Sequence, residues 1–358
     1  MSLQQFVRCT FCGLPHEATL ETCPVTGEEM PAARRLAERR ARMAQIEGKL
    51  VDGKYRVYEL IGEGGMGVVH RAVNEALDTE VAIKILHDSL QADSAARRRF
   101  EREGFVGGAL SHPNLVRTYD GGLLPDGRPF LVMELLGGEP LTERITREKQ
   151  LAVSDAMFVA ELVLRGLAAT HDQAIVHRDV KPDNIFLRPE LAGIDSVKLI
   201  DFSVSKFVED VTRVSVDGEV LGTAAYLAPE QAMGQRDLDP RVDIWAVGVV
   251  LYERLVGAPP FLEDTLIDTV TAILHRDPPL PSRMRPDVHP ALDAVVMRAV
   301  AKSRHERWPT ALAMIAALRE VGSADTWRPA EDPEFSTAER ELPSLVEEPD
   351  SLDDTLPH

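Results

Sequence analysis

The sequence predicts an α+β fold, a small strand-rich lobe followed by a larger helical one, and three observations carry that expectation. From Tyr55 the chain alternates short apolar runs with turns, in "YRVYELIGEGGMGVVHRAV", "EVAIKIL" and "PFLVMELL". Farther along, "SDAMFVAELVLRGLAATHDQ" sets Val159, Leu162, Val163 and Leu167 at helical spacing behind Ser154, a residue type suited to an N-cap. "DIWAVGVVLYERLVG" is apolar on nearly every side, the pattern of a helix at the centre of a core.

Around this body, taken as residues 49–320, the chain divides into three further parts. Residues 1–30 are short, turn-rich and hold all three cysteines, Cys9, Cys12 and Cys23. Residues 31–48 read as a basic helical linker, with Pro31 suited to a first turn and Gly48 to an end. Residues 321–358 carry eleven acids against two bases, half of the net charge of −18, and five prolines; they read as a disordered tail. Acidity of this kind argues against nucleic-acid binding, which needs a basic face. No apolar run approaches the roughly 18 residues of a membrane span, and the N-terminus lacks the basic start and apolar middle of a signal peptide. A cytoplasmic protein with no membrane anchor is expected.

The chemistry begins at "GEGGMG", where Gly62, Gly64 and Gly67 leave backbone N–H groups free to approach phosphate oxygens. The strand-like "VVHRAV" follows rather than a helix, so the loop reads as a hairpin folded over a nucleotide. Lys84, inside the apolar run "VAIK", is costly to bury without a partner. Either its stem packs at an edge while the amine reaches water, or a carboxylate holds it against phosphate; Glu103 is the preferred partner and Glu101 the competing one. In "HRDVKPDN", Asp179 can accept the proton of an attacking hydroxyl and Lys181 can neutralise charge on the transferring group. Asn184 and Asp201 offer the hard oxygen atoms that magnesium prefers.

Taken in order, the glycine loop, VAIK, a helical glutamate, HRDxKPxN, "DF", "GTAAYLAPE" and Asp243 in "DIWAVG" resemble the catalytic domain of a Ser/Thr protein kinase, particularly the eukaryotic-like kinases of bacteria. The resemblance implies the two-lobed protein kinase fold, with a small antiparallel-sheet lobe and a larger helical one. It also implies ATP with Mg2+, or Mn2+ in its place, and protein substrates carrying Ser or Thr. Lys84 and Glu103 would then pair on the ATP phosphates, Asp179 would act as base and Lys181 would touch the γ-phosphate, with Asn184 and Asp201 holding magnesium. The nucleotide would lie among Ile61, Gly62, Gly64, Gly67, Val69, Ala82, Met133 and Phe186, with the Glu134–Leu136 hinge bonding adenine. Glu230 would pair with Arg307, and Asp243 would brace the catalytic loop. Lys181 and Thr223 follow the Ser/Thr rather than the Tyr pattern.

Where the family places glycine after "DF", this chain has Ser203, which keeps the N–H and loses conformational freedom, at roughly 1–2 kcal/mol if φ must be positive. The reacting groups all survive, so an active enzyme is expected; the competing reading is a nucleotide-binding pseudokinase scaffold. Gly104, Gly107 and Gly108 weaken the helix that carries Glu103 by about 0.8–1 kcal/mol each, which points to ordering by a dimer or docking partner, or to close packing. Arg178 implies an activation segment ordered by an acquired anion, with Thr212 and Ser215 as acceptors and self-phosphorylation as the route. At the N-terminus, Cys9 and Cys12 form a two-residue-spaced knuckle, and Cys23 with His16 would complete a Cys3His zinc site, against a degenerate ribbon that binds nothing.

Overall fold

The computed structural model describes residues 6–8, 15–17, 46–188, 196–201 and 222–324. The basic linker up to residue 45 and the acidic tail from residue 325 lie outside them. At the front, β1 (Phe6–Arg8) and β2 (Pro15–Glu17) pair antiparallel.

The small lobe is a six-stranded sheet in the order β3-β4-β5-β6-β8-β7, antiparallel throughout. Its strands are β3 (Leu50–Val51), β4 (Tyr55–Glu63), β5 (Gly67–Asn74), β6 (Thr79–Leu86), β7 (Thr118–Leu123) and β8 (Pro129–Glu134). Alternation in β5 sends Val68, His70 and Ala72 inward, whereas β6 is buried continuously from Val81 to Leu86 because it is covered on both faces. The helix α1 (Ser94–Ala109) covers one of those faces, and its N-cap Asp93 accepts hydrogen bonds from the amides of Ala95 and Ala96.

The large lobe begins with β9 (Glu139–Pro140), α2 (Leu141–Glu148) and α3 (Val153–Asp172). The strands β10 (Ile185–Arg188) and β11 (Ser196–Leu199) join β9 in a three-stranded sheet. Then follow α4 (Pro229–Ala232), α5 (Arg241–Val256), α6 (Leu266–His275), α7 (Pro281–Met284), α8 (Pro290–Ala299) and α9 (Ala311–Ala324). The helix α5 is buried from Val242 to Leu255, as its all-round apolar sequence requires, and it stops at Gly257 in the left-handed region. Ser154 is not the cap of α3: Ala152 takes that position without a side-chain hydrogen bond, and Ser154 lies in the first turn. No helix among the described residues is long and apolar enough to cross a membrane.

Backbone hydrogen bonds stitch the lobes together behind the cleft. The Val116 amide donates to Leu199 O at 3.0 Å, and the Leu199 amide donates to Asn114 O at 2.8 Å. The Asn114 side chain adds a bond to Val197 O at 2.9 Å. The segment after α1 is thereby fixed to the strand that leads into Asp201.

Candidate active site

The turn between β4 and β5 is a tight hairpin in which the Gly64 amide donates to Gly67 O at 2.9 Å. Gly67 has a steric cause, since a Cβ there would lie 2.1 Å from Ile85 O. Around Gly64 there is open space, which leaves its surroundings clear for a large anion. His87, at the end of β6, grips this loop from below through a 2.9 Å hydrogen bond between its Nε2 and Gly64 O and a 3.0 Å bond from its amide to Met66 O.

Strand register puts Val69 opposite Lys84 and Ala82 opposite Met133, so these four side chains share one face of the sheet. Ile61 is exposed at the end of β4, and Glu134 to Leu136 leave β8 half-buried toward the large lobe. Phe186, on β10, pairs with Pro140 across the cleft floor.

Lys84 and Glu103 are both buried, and the ammonium lies 2.8 and 2.9 Å from the two Glu103 oxygens. It also donates to Asp201 Oδ1 at 2.6 Å. Glu101, the rival partner, points to solvent. One cation thus sits between two carboxylates. Burial opposes the Lys84 charge, but Asp201 and Glu103 outweigh it and raise its pKa. Burial first, and then the Asp201 charge, push Glu103 up to about 8. Burial also works against Asp201, yet the charge and hydrogen bond of Lys84 hold it down to about 2.

The catalytic-loop half is built differently. Asp243, buried on α5, accepts from the His177 amide at 2.9 Å and the Arg178 amide at 2.7 Å, and shares a 2.8 Å bond with His171 Nε2. These bonds hold Arg178 at φ 68°, in the left-handed region that non-glycine residues rarely adopt. His177 bridges to Ile200 O at 3.2 Å, and burial pushes its imidazole pKa down. The Asn184 amide nitrogen donates to Asp179 O at 2.7 Å and to Asp179 Oδ2 at 3.0 Å. Lys181 Nζ lies 3.2 Å from Asp179 Oδ2. The Ile200 amide donates to Asn184 O at 2.9 Å, which ties Asn184 to the residue before Asp201.

With its nitrogen committed to Asp179, Asn184 has its side-chain oxygen left to offer, and Asp201 has a second carboxylate oxygen beyond the one on Lys84. Two hard oxygen donors, with a buried ammonium bonded to one of them, fit a magnesium-bound nucleotide. Farther out, Arg307 makes the expected buried fork on Glu230, at 2.7 and 2.8 Å.

Several positioning residues escape sequence reasoning. Lys198 on β11 is buried and donates to Glu134 at 2.8 Å, linking the hinge to the strand before Asp201. The argument applied to Lys84, a lysine in an apolar run, would have found it in "VKLI". Gln231, which donates to Arg178 O at 2.9 Å, and Asn114 give no such signal.

Of the two causes the sequence offers for the glycines of α1, close packing is visible at Gly104 and Gly107. A Cβ on Gly104 would meet Leu131 Cδ2 at 2.3 Å, and one on Gly107 would meet Thr118 Oγ1 at 2.3 Å. Close packing on β7 and β8 demands both; Gly108 alone is unconstrained, its nearest atom at 3.9 Å. Thr223 is half-buried in the helical turn at 222–224. Thr212, Ser215, Ser203, Cys9, Cys12 and Cys23 lie outside the described residues, and His16 stands on β2 opposite Val7. Among the described residues, no group of three or more His, Cys, Asp or Glu is placed to hold a metal ion.

The sequence pattern of the family described as "Protein kinase domain" matches residues 55–315. The chain is similar to Serine/threonine-protein kinase pkn3 of Myxococcus xanthus, 38% identical over 279 residues that cover 76% of this chain and 51% of that protein. It is also similar to Serine/threonine-protein kinase PknB of Mycolicibacterium smegmatis, 38% identical over 272 residues that cover 75% of this chain and 43% of that protein. The chain thus spans about half the length of the curated relatives it matches. Among solved structures, the Mycobacterium tuberculosis PknI kinase domain superposes with a TM-score of 0.59 at 28% identity, covering 76% of this chain and 98% of that one.

Proposed function

The chain belongs to the protein kinase family, and on that premise we propose that it transfers the γ-phosphoryl group of ATP to Ser or Thr hydroxyls of proteins. One observation carries the reading: the Lys84–Glu103–Asp201 trio is formed while Asp179, Lys181 and Asn184 are bonded together on the facing loop. Asp179 takes the acceptor's proton as the new O–P bond forms, and the electron pair of the breaking bond leaves with ADP. Lys181, beside the Asp179 carboxylate, offsets charge on the transferring group. Bound Mg2+, held by Asn184 and Asp201, would neutralise the phosphate oxygens. A pseudokinase would be expected to lose the small-lobe ion pair; here it is made.

The test is transfer of radiolabelled phosphate from Mg-ATP to a generic basic protein, with Asp179→Asn as control. General-base loss predicts a fall of roughly 10²–10⁴-fold. Equal incorporation by the two chains would overturn the assignment.

Three finer points extend this reading. The Arg178 guanidinium is half-buried with Arg102 close by; burial and that like charge lower its pKa, as suits a receptor for an acquired phosphate. Thr212 and Ser215 are its proposed donors after self-phosphorylation, and mass spectrometry that finds no phosphate between residues 201 and 230 would reject this. At the N-terminus, the two-residue spacing of Cys9 and Cys12, with Cys23 and His16 as further ligands, supports a Cys3His zinc site. Metal analysis of the full chain tests that site, and a zinc content near zero rejects it. Its role would be docking rather than catalysis, in a cytoplasmic protein.

A further inference from the structure

A groove of about 450 Å³ runs along the outer face of α1, away from the cleft. Arg97, Phe100, Glu101, Gly104, Phe105 and Gly108 line one wall, a single helical stripe adjacent to the one that carries Glu103. The sheet-edge strand β7 supplies the other wall. Phe105 is 73% exposed, Tyr119 53% and Leu123 60%, and all three line the groove. Three large apolar side chains open to water on one concave surface mark a contact site.

We propose that this groove seats the chain's own residues 31–45, and that the contact holds α1 where Glu103 meets Lys84. The seating stands apart from the phosphoryl-transfer reading; only its consequence for catalysis rests on that reading.

The path of the chain favours this occupant. Ile46, where the described structure resumes, packs on the small-lobe core cluster that contains Leu124 and Phe130, and Phe130 also lines the groove. A few residues on, Tyr55 donates to Asp120 at 2.9 Å and Lys54 at 3.3 Å, and Asp120 is again a groove residue. The described chain thus resumes on the sheet face opposite α1, beside the β7–β8 edge that borders the groove. Gly48 has φ +76°, the conformation that ends a helix and turns the chain.

Length and chemistry agree. A helix over residues 31–45 would be about 22 Å long, close to the 16-residue α1 beside which it would lie. Its sequence sets Ala33, Leu36, Ala37, Ala41 and Ala44 on one stripe, flanked by Met43 and five arginines. The groove offers apolar walls and the exposed carboxylate of Glu101, with Asp120 already paired to Lys54 and with Arg97 and Arg117 at its rim. The acidic tail, by contrast, leaves the other lobe from α9, which Arg319 anchors to Glu161 of α3.

The experiment is hydrogen exchange on the full-length chain, which requires no catalysis. Two variants disrupt the two sides: Leu36→Asp with Met43→Asp in the segment, and Phe105→Asp in the groove, where 73% exposure makes the change compatible with folding. Each should speed exchange across residues 94–109 and 118–131 on the order of tenfold, and Phe105→Asp should also speed it in residues 31–45. Unchanged exchange of α1 and β7 in the segment variant would overturn the proposal. So would protection of the groove that disappears on truncation after Ala324, which would name the tail, or protection that rises with protein concentration, which would name a second copy.

Discussion

The two halves of the cleft are held by unlike means. The catalytic loop hangs from buried Asp243 through two backbone amides, His171 of α3 holds the same carboxylate, and Gln231 and Asn184 add bonds to backbone carbonyls nearby. The small-lobe half depends on a single ammonium shared by two carboxylates, below a loop that presents backbone rather than side chains. A network of neutral and charge-assisted bonds to buried backbone fixes one geometry, because every broken bond strands a polar group. A single ammonium shared by two carboxylates, one of which can hold a proton, tolerates rearrangement. The difference teaches that the large lobe supplies a fixed template and the small lobe supplies the adjustable part.

The harshest way to break this comparison is Asp243→Ala. It leaves the His177 and Arg178 amides buried without acceptors, at about 1–3 kcal/mol each. Thermal unfolding should fall by several degrees and transfer should be lost with it. An Asp243→Ala chain with wild-type stability would show that the brace is not structural.

Lys84→Met probes the other half. Loss of one preorganised charge at the reacting phosphates should lower transfer roughly 10²–10³-fold, while the melting temperature changes less than in Asp243→Ala because Glu103 already holds a proton below about pH 8. Should Lys84→Met unfold the chain as readily as Asp243→Ala, the two halves would not differ as argued.

A subtler difference is pH dependence. The folded-state pKa of Glu103 is raised to about 8, so the nucleotide-free protein retains a proton that the unfolded chain releases above the ordinary carboxylate range. Stability contributed at this site therefore falls as pH rises from about 4.5 toward 8. Glu103→Gln should flatten that part of a melting-temperature profile, and an unchanged slope would place the effect elsewhere.

The legibility of these two halves from sequence differs for the same physical reason. Groups that do chemistry are rare residue types in costly places: a lysine in an apolar strand, or an aspartate at the end of one. Such residues stand out: Lys84 and Glu103 meet as expected and Asp201 joins them, while the Glu230–Arg307 fork was expected only from the resemblance to protein kinases. The supports are ordinary polar residues whose partners are backbone groups far away in sequence. Nothing local marks Asn114 for Val197 O, 83 positions on, or Gln231 for Arg178 O, 53 positions back. The cap of α3 failed similarly, since Ser154 has the right chemistry for a cap and the chain turned into the helix earlier, at Ala152. For the glycines of α1 the sequence left two causes open, ordering by a partner or close packing, because propensity is blind to what packs on the helix; the structure shows the packing at Gly104 and Gly107.

Those glycines also supply the mildest test of the small lobe's adjustability. Gly108→Ala adds a methyl group with nothing nearer than 3.9 Å, so the gain in helix propensity, about 0.8–1 kcal/mol, should appear in full. In a chain of this size that corresponds to a melting temperature about 2–4 °C higher. Gly104→Ala and Gly107→Ala gain the same propensity but drive a Cβ to 2.3 Å from Leu131 Cδ2 and Thr118 Oγ1. Overpacking at such sites costs about 1–3 kcal/mol, so both should lower the melting temperature and, by lifting α1 off β7 and β8, loosen the Lys84–Glu103 pair. Calorimetry on the three single variants decides the matter: equal stabilisation by all three would mean that the helix rides loosely on its sheet, and that close packing is not why Gly104 and Gly107 are there.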